Sequence, residues 1–317
     1  LLCDIFPTMA GIYIHIPFCK SRCKYCDFFS TTHLEKRAQY VAALLEEWRM
    51  RAHEVKEPIH TIYIGGGTPS MLAVDSLKLI VDSLLLNVES QEQEITMEVN
   101  PGDVTAEKAH AWRAIGINRL SIGIQSFDDK LLQLIGRRHT AEQARKAVAA
   151  AQAAGFDNIS IDLMYALPSQ TMEMWKKDVA EALKLGVQHI STYGLIYEEG
   201  TALTTLLDHG LVEAVDEDTE MQMYDYLVEK LTENGYLKSR FIDDKAAVAA
   251  CFTMLKYLAE NGLKPKYRTI LAFPYTEEIG FGGTFVFPEV SEYVAIDIGL
   301  IGPDYDGDEF KGSICAK

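Results

Sequence analysis

Apolar and polar positions alternate in two rhythms along the first 200 residues. "GIYIHIPF" (11–18) is a short apolar strand ending at Pro17, and the segment at 34–55 has helical spacing. Strand-like runs follow at 60–72, 94–104, 117–127, 158–168 and 189–200. Helix-like runs at 74–88, 105–116, 140–156 and 171–187 separate them. "TAEKAHAWRAIG" opens on a threonine cap and closes on glycine, as a helix should. This βα rhythm predicts an α/β fold, with a parallel sheet covered by helices. In barrels of that kind ligand sites lie at the C-terminal ends of the strands.

The first such end carries "CKSRCKYC", with Cys19, Cys23 and Cys26 inside eight residues. Three thiols at this spacing can converge on one centre from a single loop. A disulfide would leave one thiol over, and zinc would need a fourth ligand that neither His15 nor His33 supplies at a usual spacing. An iron–sulfur cluster held by thiolates suits the set; zinc and purely structural thiols stay open as alternatives. Phe18, Tyr25, Phe28 and Phe29 interleave the cysteines, as core packing or as a shield for a reduced cluster. At later strand ends stand "GGGTP" (65–69), whose N–H groups can hold an acceptor group of a ligand, and Glu98 in "MEVNP". Each also reads without a ligand: a plain turn, and a solvated charge. His15 reads equally as a satisfied core histidine.

"CKSRCKYC" after "YIHIPF" resembles the radical S-adenosylmethionine (SAM) enzymes. The resemblance is to the branch of oxygen-independent coproporphyrinogen III oxidases and their haem-chaperone relatives, and it covers residues 9–236. It implies a partial (β/α)6 TIM-like barrel in which Cys19, Cys23 and Cys26 hold [4Fe–4S], with the open iron taking the amino and carboxylate groups of SAM. It assigns Gly66, Gly67 and Thr68 to the SAM amino group, and Glu98 to a ribose or amino group. Gln125 and Arg137 would approach the ribose and carboxylate, Asp162 the adenosine side, and Tyr13 the cluster and sulfonium. Arg137 reads otherwise as a surface cation. An electron from a donor such as flavodoxin or ferredoxin would cleave SAM to methionine and a 5′-deoxyadenosyl radical, the protein orienting SAM and excluding oxygen. Phe28 stands where the oxidases carry a further cysteine, which favours the chaperone side, with haem or a porphyrin as ligand and a haem-accepting protein as partner. Ala166 and Ser169 replace two glycines common in the family, from which a tighter turn is expected.

Beyond "LTENGY" the expected "HYEISNFA"-like and "HNxxYW"-like stretches are missing. "FIDDKAAVAA", "TEEIG" and "AIDIG" instead resemble the dinuclear metallo-aminopeptidases that include glutamyl aminopeptidases, over residues 237–317. There Asp243 would bridge two metal ions such as zinc or cobalt, Glu277 would be the base, and Glu278 and Asp297 would be ligands. Paired carboxylates suit this work, since one holds metal while its neighbour takes a proton from the bridging water; the plain alternative is loop charges. No histidine follows His209, so the two histidine ligands of that family are lacking and no aminopeptidase turnover is expected. The halves abut without a linker, as a joining of two gene fragments would. With strands missing from its own sheet, the second part is expected to leave "YRTILAFPY" and "YVAIDIGL" with unpaired edges.

Charge and composition narrow the reading. With 30 basic against 46 acidic residues, a net charge of −16 argues against a general nucleic-acid-binding surface. No apolar run reaches the ~18 residues of a membrane span. "LLCDIFPT" lacks the features of a secretory signal; Met9 reads as a natural start and residues 1–8 as an extra leader. Six cysteines without an export signal point to a reducing, cytoplasmic setting. Two other readings stand beside the radical SAM one: a metallo-aminopeptidase with an incomplete metal site, and a non-enzymatic carrier of haem or an iron–sulfur cluster.

Overall fold

The computed structural model describes residues 10–85, 93–236, 256–258 and 260–264 in full, and the backbone of 294–296, 301–302, 305–306 and 314–316. Two compact units divide the chain, Leu1–Leu237 and Lys238–Lys317.

In the first unit six strands form one sheet in sequence order: β1 Ala10–Ile16, β2 Ile59–Gly66, β3 Glu94–Val99, β4 Arg119–Gln125, β5 Ile159–Tyr165 and β6 His189–Gly194. Every neighbouring pair is parallel. Crossovers run through α1 Arg37–Arg51, α2 Val74–Leu85, α3 Ala106–Ala114, α4 Asp129–Leu134, α5 Ala141–Ala153 and α6 Met172–Lys184. Then come α7 Ala202–Asp208 and α8 Glu217–Glu233. β1 and β6 are not paired with each other, so this is the expected open (β/α)6 barrel.

Local chemistry sets the helix starts. Thr105, Thr140 and Thr171 accept from the backbone N–H three residues on, and Gln143 completes a capping box with Thr140. The alternating pattern then gives the sheet two unlike faces. Ile14, Ile16, Ile62, Ile64, Met97, Leu120, Ile122, Ile159 and Ile161 are buried against helices, which contribute Leu77, Ile80, Val148, Trp175 and Val179. Each such side chain stabilises the fold by roughly 1.5–3 kcal/mol. Trp175 Nε1 donates to the Met223 carbonyl at 2.8 Å, tying α8 to α6. The other face is polar. Register places Tyr13 beside Tyr63, Glu98 beside Ser121, and Asp162 between Gly123 and Ser191.

The sequence pattern misses α4 and α7, whose apolar runs are too short to register as helices, and α8, whose N-cap is Asp216. In the second unit Val294–Ile296, within "YVAIDIGL", pairs antiparallel with Ile314–Ala316. Those three residues of the run therefore have a partner strand. A two-residue pairing joins Ile301–Gly302 to Tyr305–Asp306. Asp243, Glu277, Glu278, Asp297 and "YRTILAFPY" lie outside the described residues. No helix among the described residues is long and apolar enough to cross a membrane.

Candidate SAM and cluster site

The cysteine loop leaves β1 at Pro17 and is held by main-chain hydrogen bonds on several sides. Thr31 N–H donates to the Pro17 carbonyl at 2.7 Å and Cys19 N–H to the Thr31 carbonyl at 2.9 Å. Lys24 N–H donates to the Ile135 carbonyl at 2.9 Å, and its own carbonyl accepts from Leu203 N–H at 2.8 Å. Arg22 closes the loop on the Ser30 carbonyl. Cys19, Cys23 and Cys26 are free thiols of intermediate exposure. Cys19 Sγ lies 3.5 Å from the Thr68 hydroxyl, and Cys23 Sγ accepts from Arg137 Nη1 at 3.5 Å. Burial raises the Cys26 thiol pKa; Phe28 N–H lowers it, and Cys23 and Cys19 raise it further. Among the described residues no group of three or more His, Cys, Asp or Glu side chains gathers as it would around a single ion. Three thiolates from one loop fit an iron–sulfur cluster, which is held by thiolates.

Beside the loop, "GGGTP" turns tightly under β1. Gly67 N–H donates to the Ile16 carbonyl at 2.8 Å. A Cβ on Gly67 would meet the Ile16 carbonyl oxygen and Pro17 carbonyl carbon at 2.9 Å, and Phe18 N at 3.0 Å. Gly66 has φ +107, with the His15 ring 2.6 Å from where its Cβ would stand. Only glycine fits either position without moving main chain or imidazole. His15 is half-buried at the mouth and not in the core; its Nε2 is 2.9 Å from the Phe29 carbonyl and its Nδ1 3.2 Å from the Tyr13 hydroxyl.

The polar face continues the site across the strands. Glu98 accepts from the Tyr63 hydroxyl at 2.8 Å and from Gly66 N–H at 3.0 Å. Burial raises its pKa, and those two donors offset part of the rise. Tyr13 stacks on Tyr63 with ring centroids 6.0 Å apart. Ser121 Oγ donates to Asp162 at 3.4 Å. Burial, then the charge of Glu98, pushes the Asp162 carboxyl up to about 7, against Arg137 and hydroxyl donors that lower it. Gln125 lies past a register shift in β4 and has φ +67. Strain of this kind at a strand end costs about 1–3 kcal/mol.

Gln125 and Arg137 come together over Gly123. A Cβ there would lie 3.0 Å from Arg137 Nη2 and 3.3 Å from Gln125 Nε2. Gln125 Oε1 and Arg137 Nε are buried and have no hydrogen-bond partner among the described residues. One buried acceptor and one buried donor left over near Gly123 are what a ligand with a hydroxyl and a carboxylate would complete. The residues present therefore fit SAM.

The structure thus places Tyr13, Glu98 and Asp162 on the polar face of the sheet, Gly66 and Gln125 at strand ends, and Gly67, Thr68 and Arg137 in the turns next to the cysteine loop. Sequence reasoning missed Tyr63, Ser121 and Ser191. They share the parity of the residues it found, and "TIYIGG", "LSIGIQ" and "ISTYG" carry that alternation. At Ala166 and Ser169, where a tighter turn is expected, the backbone is left-handed, with φ +60 and +64, a conformation glycines would adopt freely.

Known proteins resemble this chain in two separate stretches. Residues 13–182 match the radical SAM superfamily, and residues 222–317 match the M42 glutamyl aminopeptidases. The heme chaperone HemW of Lactococcus lactis is 40% identical over 226 residues, covering 71% of this chain and 59% of the relative. HemW of Bacillus subtilis is 37% identical over 72% of this chain and 61% of the relative. The structure of coproporphyrinogen III oxidase (HemN) from Escherichia coli superposes with a TM-score of 0.65 at 26% identity, over 74% of this chain and 54% of that one. This chain spans about three fifths of the length of the curated relatives it matches. Because the matched segment covers more than half of the chain and its six parallel strands follow the same fold, the chain belongs to the radical SAM superfamily, and within it resembles HemW and HemN.

Proposed function

We propose that residues 9–236 form a radical SAM core. It binds [4Fe–4S] through Cys19, Cys23 and Cys26. SAM lies on Gly66, Gly67, Thr68, Glu98, Gln125, Arg137 and Asp162, with Tyr13 at its edge. The observation that carries this reading is the orphaned pair of Gln125 Oε1 and Arg137 Nε over Gly123, between the cysteine loop and Asp162.

Each residue has chemistry suited to its part. Arg137 Nε offers an N–H to the SAM carboxylate, and Gln125 Oε1 accepts from a ribose hydroxyl. Glu98, held ready by Tyr63 and Gly66, can turn its charge to the SAM ammonium. Asp162, whose carboxyl burial pushes up to about 7, can donate to or accept from the adenosine side. Tyr13, Phe28 and Phe29 are exposed around the mouth and would screen it from water once a ligand is seated. Bound there, the cluster supplies the electron that cleaves SAM reductively. The similarity to heme chaperones supports haem or a porphyrin as the molecule handled, with a separate protein as acceptor.

Equilibrium dialysis of radiolabelled SAM against the anaerobically reconstituted protein tests the reading. Gln125→Ala and Glu98→Gln should each weaken binding by about tenfold or more, the loss of one well-placed buried hydrogen bond. Unchanged binding in both variants would sink the assignment of this pocket.

A further inference from the structure

The three thiols do not have equal surroundings. Cys19 faces a neutral hydroxyl, Thr68, and Cys26 faces a backbone N–H, that of Phe28. Cys23 accepts a hydrogen bond from a cation, Arg137, across 114 residues of sequence, and the same charge reaches Cys26 more weakly. The guanidinium is fixed there. Its Nη2 donates to the Gly123 carbonyl, and Gly123 has no side chain to push it away. The Lys24 to Ile135 main-chain bond clamps the cysteine loop to the turn that carries Arg137, so thiol and guanidinium keep their spacing. The neighbouring Arg138 is neutralised by Asp103, whereas Arg137 has no carboxylate within ion-pair distance among the described residues.

We propose that Arg137 is a tuning residue of the cluster, its Nη1–H donating to the Cys23 sulfur and its unneutralised charge raising the reduction potential. This rests on the assignment of Cys19, Cys23 and Cys26 to [4Fe–4S]. Reduction adds one electron to the cluster and its thiolates. A buried positive charge and an N–H donor on one sulfur both favour the more negative, reduced form. Arg137 therefore has two separable duties: Nη1 acts on the cluster through Cys23, and Nε remains for SAM.

The test is an EPR-monitored redox titration of the reconstituted protein without SAM, which isolates the first duty. Arg137→Gln should lower the reduced-to-oxidised ratio at a fixed potential by about tenfold, a shift of roughly 59 mV for a one-electron couple. Arg137→Lys, which keeps the charge and loses the planar fork, should shift less. Lys20→Gln removes an exposed cation from the same loop and should change the ratio by less than about twofold, because water and salt screen it. A second measurement needs no variant. Protein labelled with 15N-arginine should give an arginine nitrogen coupling to the reduced cluster in pulsed EPR. A fully loaded Arg137→Gln protein with the wild-type potential overturns the proposal, and so does a wild-type cluster with no arginine coupling. If the wild-type protein forms no cluster at all, the assignment of the cysteines falls and this inference with it.

Discussion

A single methyl group at Gly67 should damage both the fold and the site. The Cβ of Gly67→Ala would sit 2.9, 2.9 and 3.0 Å from three main-chain atoms of Ile16, Pro17 and Phe18. None is the end of a flexible side chain that can swing aside. The segment is also pinned: Ile16 and Phe18 are buried in the core, and Thr31 N–H holds the Pro17 carbonyl at 2.7 Å. The strand exit must therefore move by a few tenths of an ångström or the turn must open. Forced overpacking of this kind costs about 1–3 kcal/mol. Losing the 2.8 Å bond from Gly67 N–H to Ile16 adds about 1 kcal/mol. Urea unfolding of the protein without cluster should register a loss of about 2–4 kcal/mol. Iron content after reconstitution should fall as well, because Cys19 follows directly on the displaced residues. A loss below about 0.5 kcal/mol, the ordinary scatter of a surface change, with full iron loading, would refute the argument that the turn is closed to a side chain.

Three further outcomes follow from individual residues. Ser169→Gly relieves a left-handed backbone at an exposed position; the relief of about 1–2 kcal/mol exceeds the added freedom of the unfolded chain, so urea midpoints should rise by the equivalent of about 0.5 kcal/mol. At Asp162 the folded pKa of about 7 exceeds the unfolded value near 3.9, so its contribution to stability is full at acid pH and is lost as pH rises toward 7. Asp162→Asn should gain on the wild type over that window, by roughly 3 kcal/mol in paired urea melts at pH 4 and pH 8, and a constant difference would count against it. Asp178 is buried and accepts from Ser126 Oγ and Phe127 N–H, each at 2.7 Å; Asp178→Ala strands both donors and should cost about 2–4 kcal/mol in the same assay.

The barrel is legible in the sequence because two periods alternate there with little ambiguity. "ITMEV" and "ISIDL" bury one parity and keep the other polar, and threonine caps mark where "AEKAHAWRA" and "MEMWKKDVA" begin. The cysteine loop is legible because its three ligands are local. What the sequence does not carry is the meeting of distant side chains. Arg137 reaches Cys23 only because a short helix, α4, returns the chain over β4, and that helix is too short to announce itself. Gln125 is visible as a strand-end glutamine, but its unusual backbone and its orphaned oxygen are consequences of the register shift beside Gly123. His15 is ambiguous by parity alone, and its place over Gly66 depends on how β1 and β2 are paired.

The most direct test of the radical SAM assignment is anaerobic. The protein is reconstituted with iron and sulfide, reduced, and given SAM; methionine and 5′-deoxyadenosine are then assayed, beside a variant with Cys19, Cys23 and Cys26 changed to Ala. The account predicts both products in equal amounts from the wild type and neither from the variant. A wild type that carries a full cluster yet releases neither product, or product formation that survives loss of the three thiols, would contradict it.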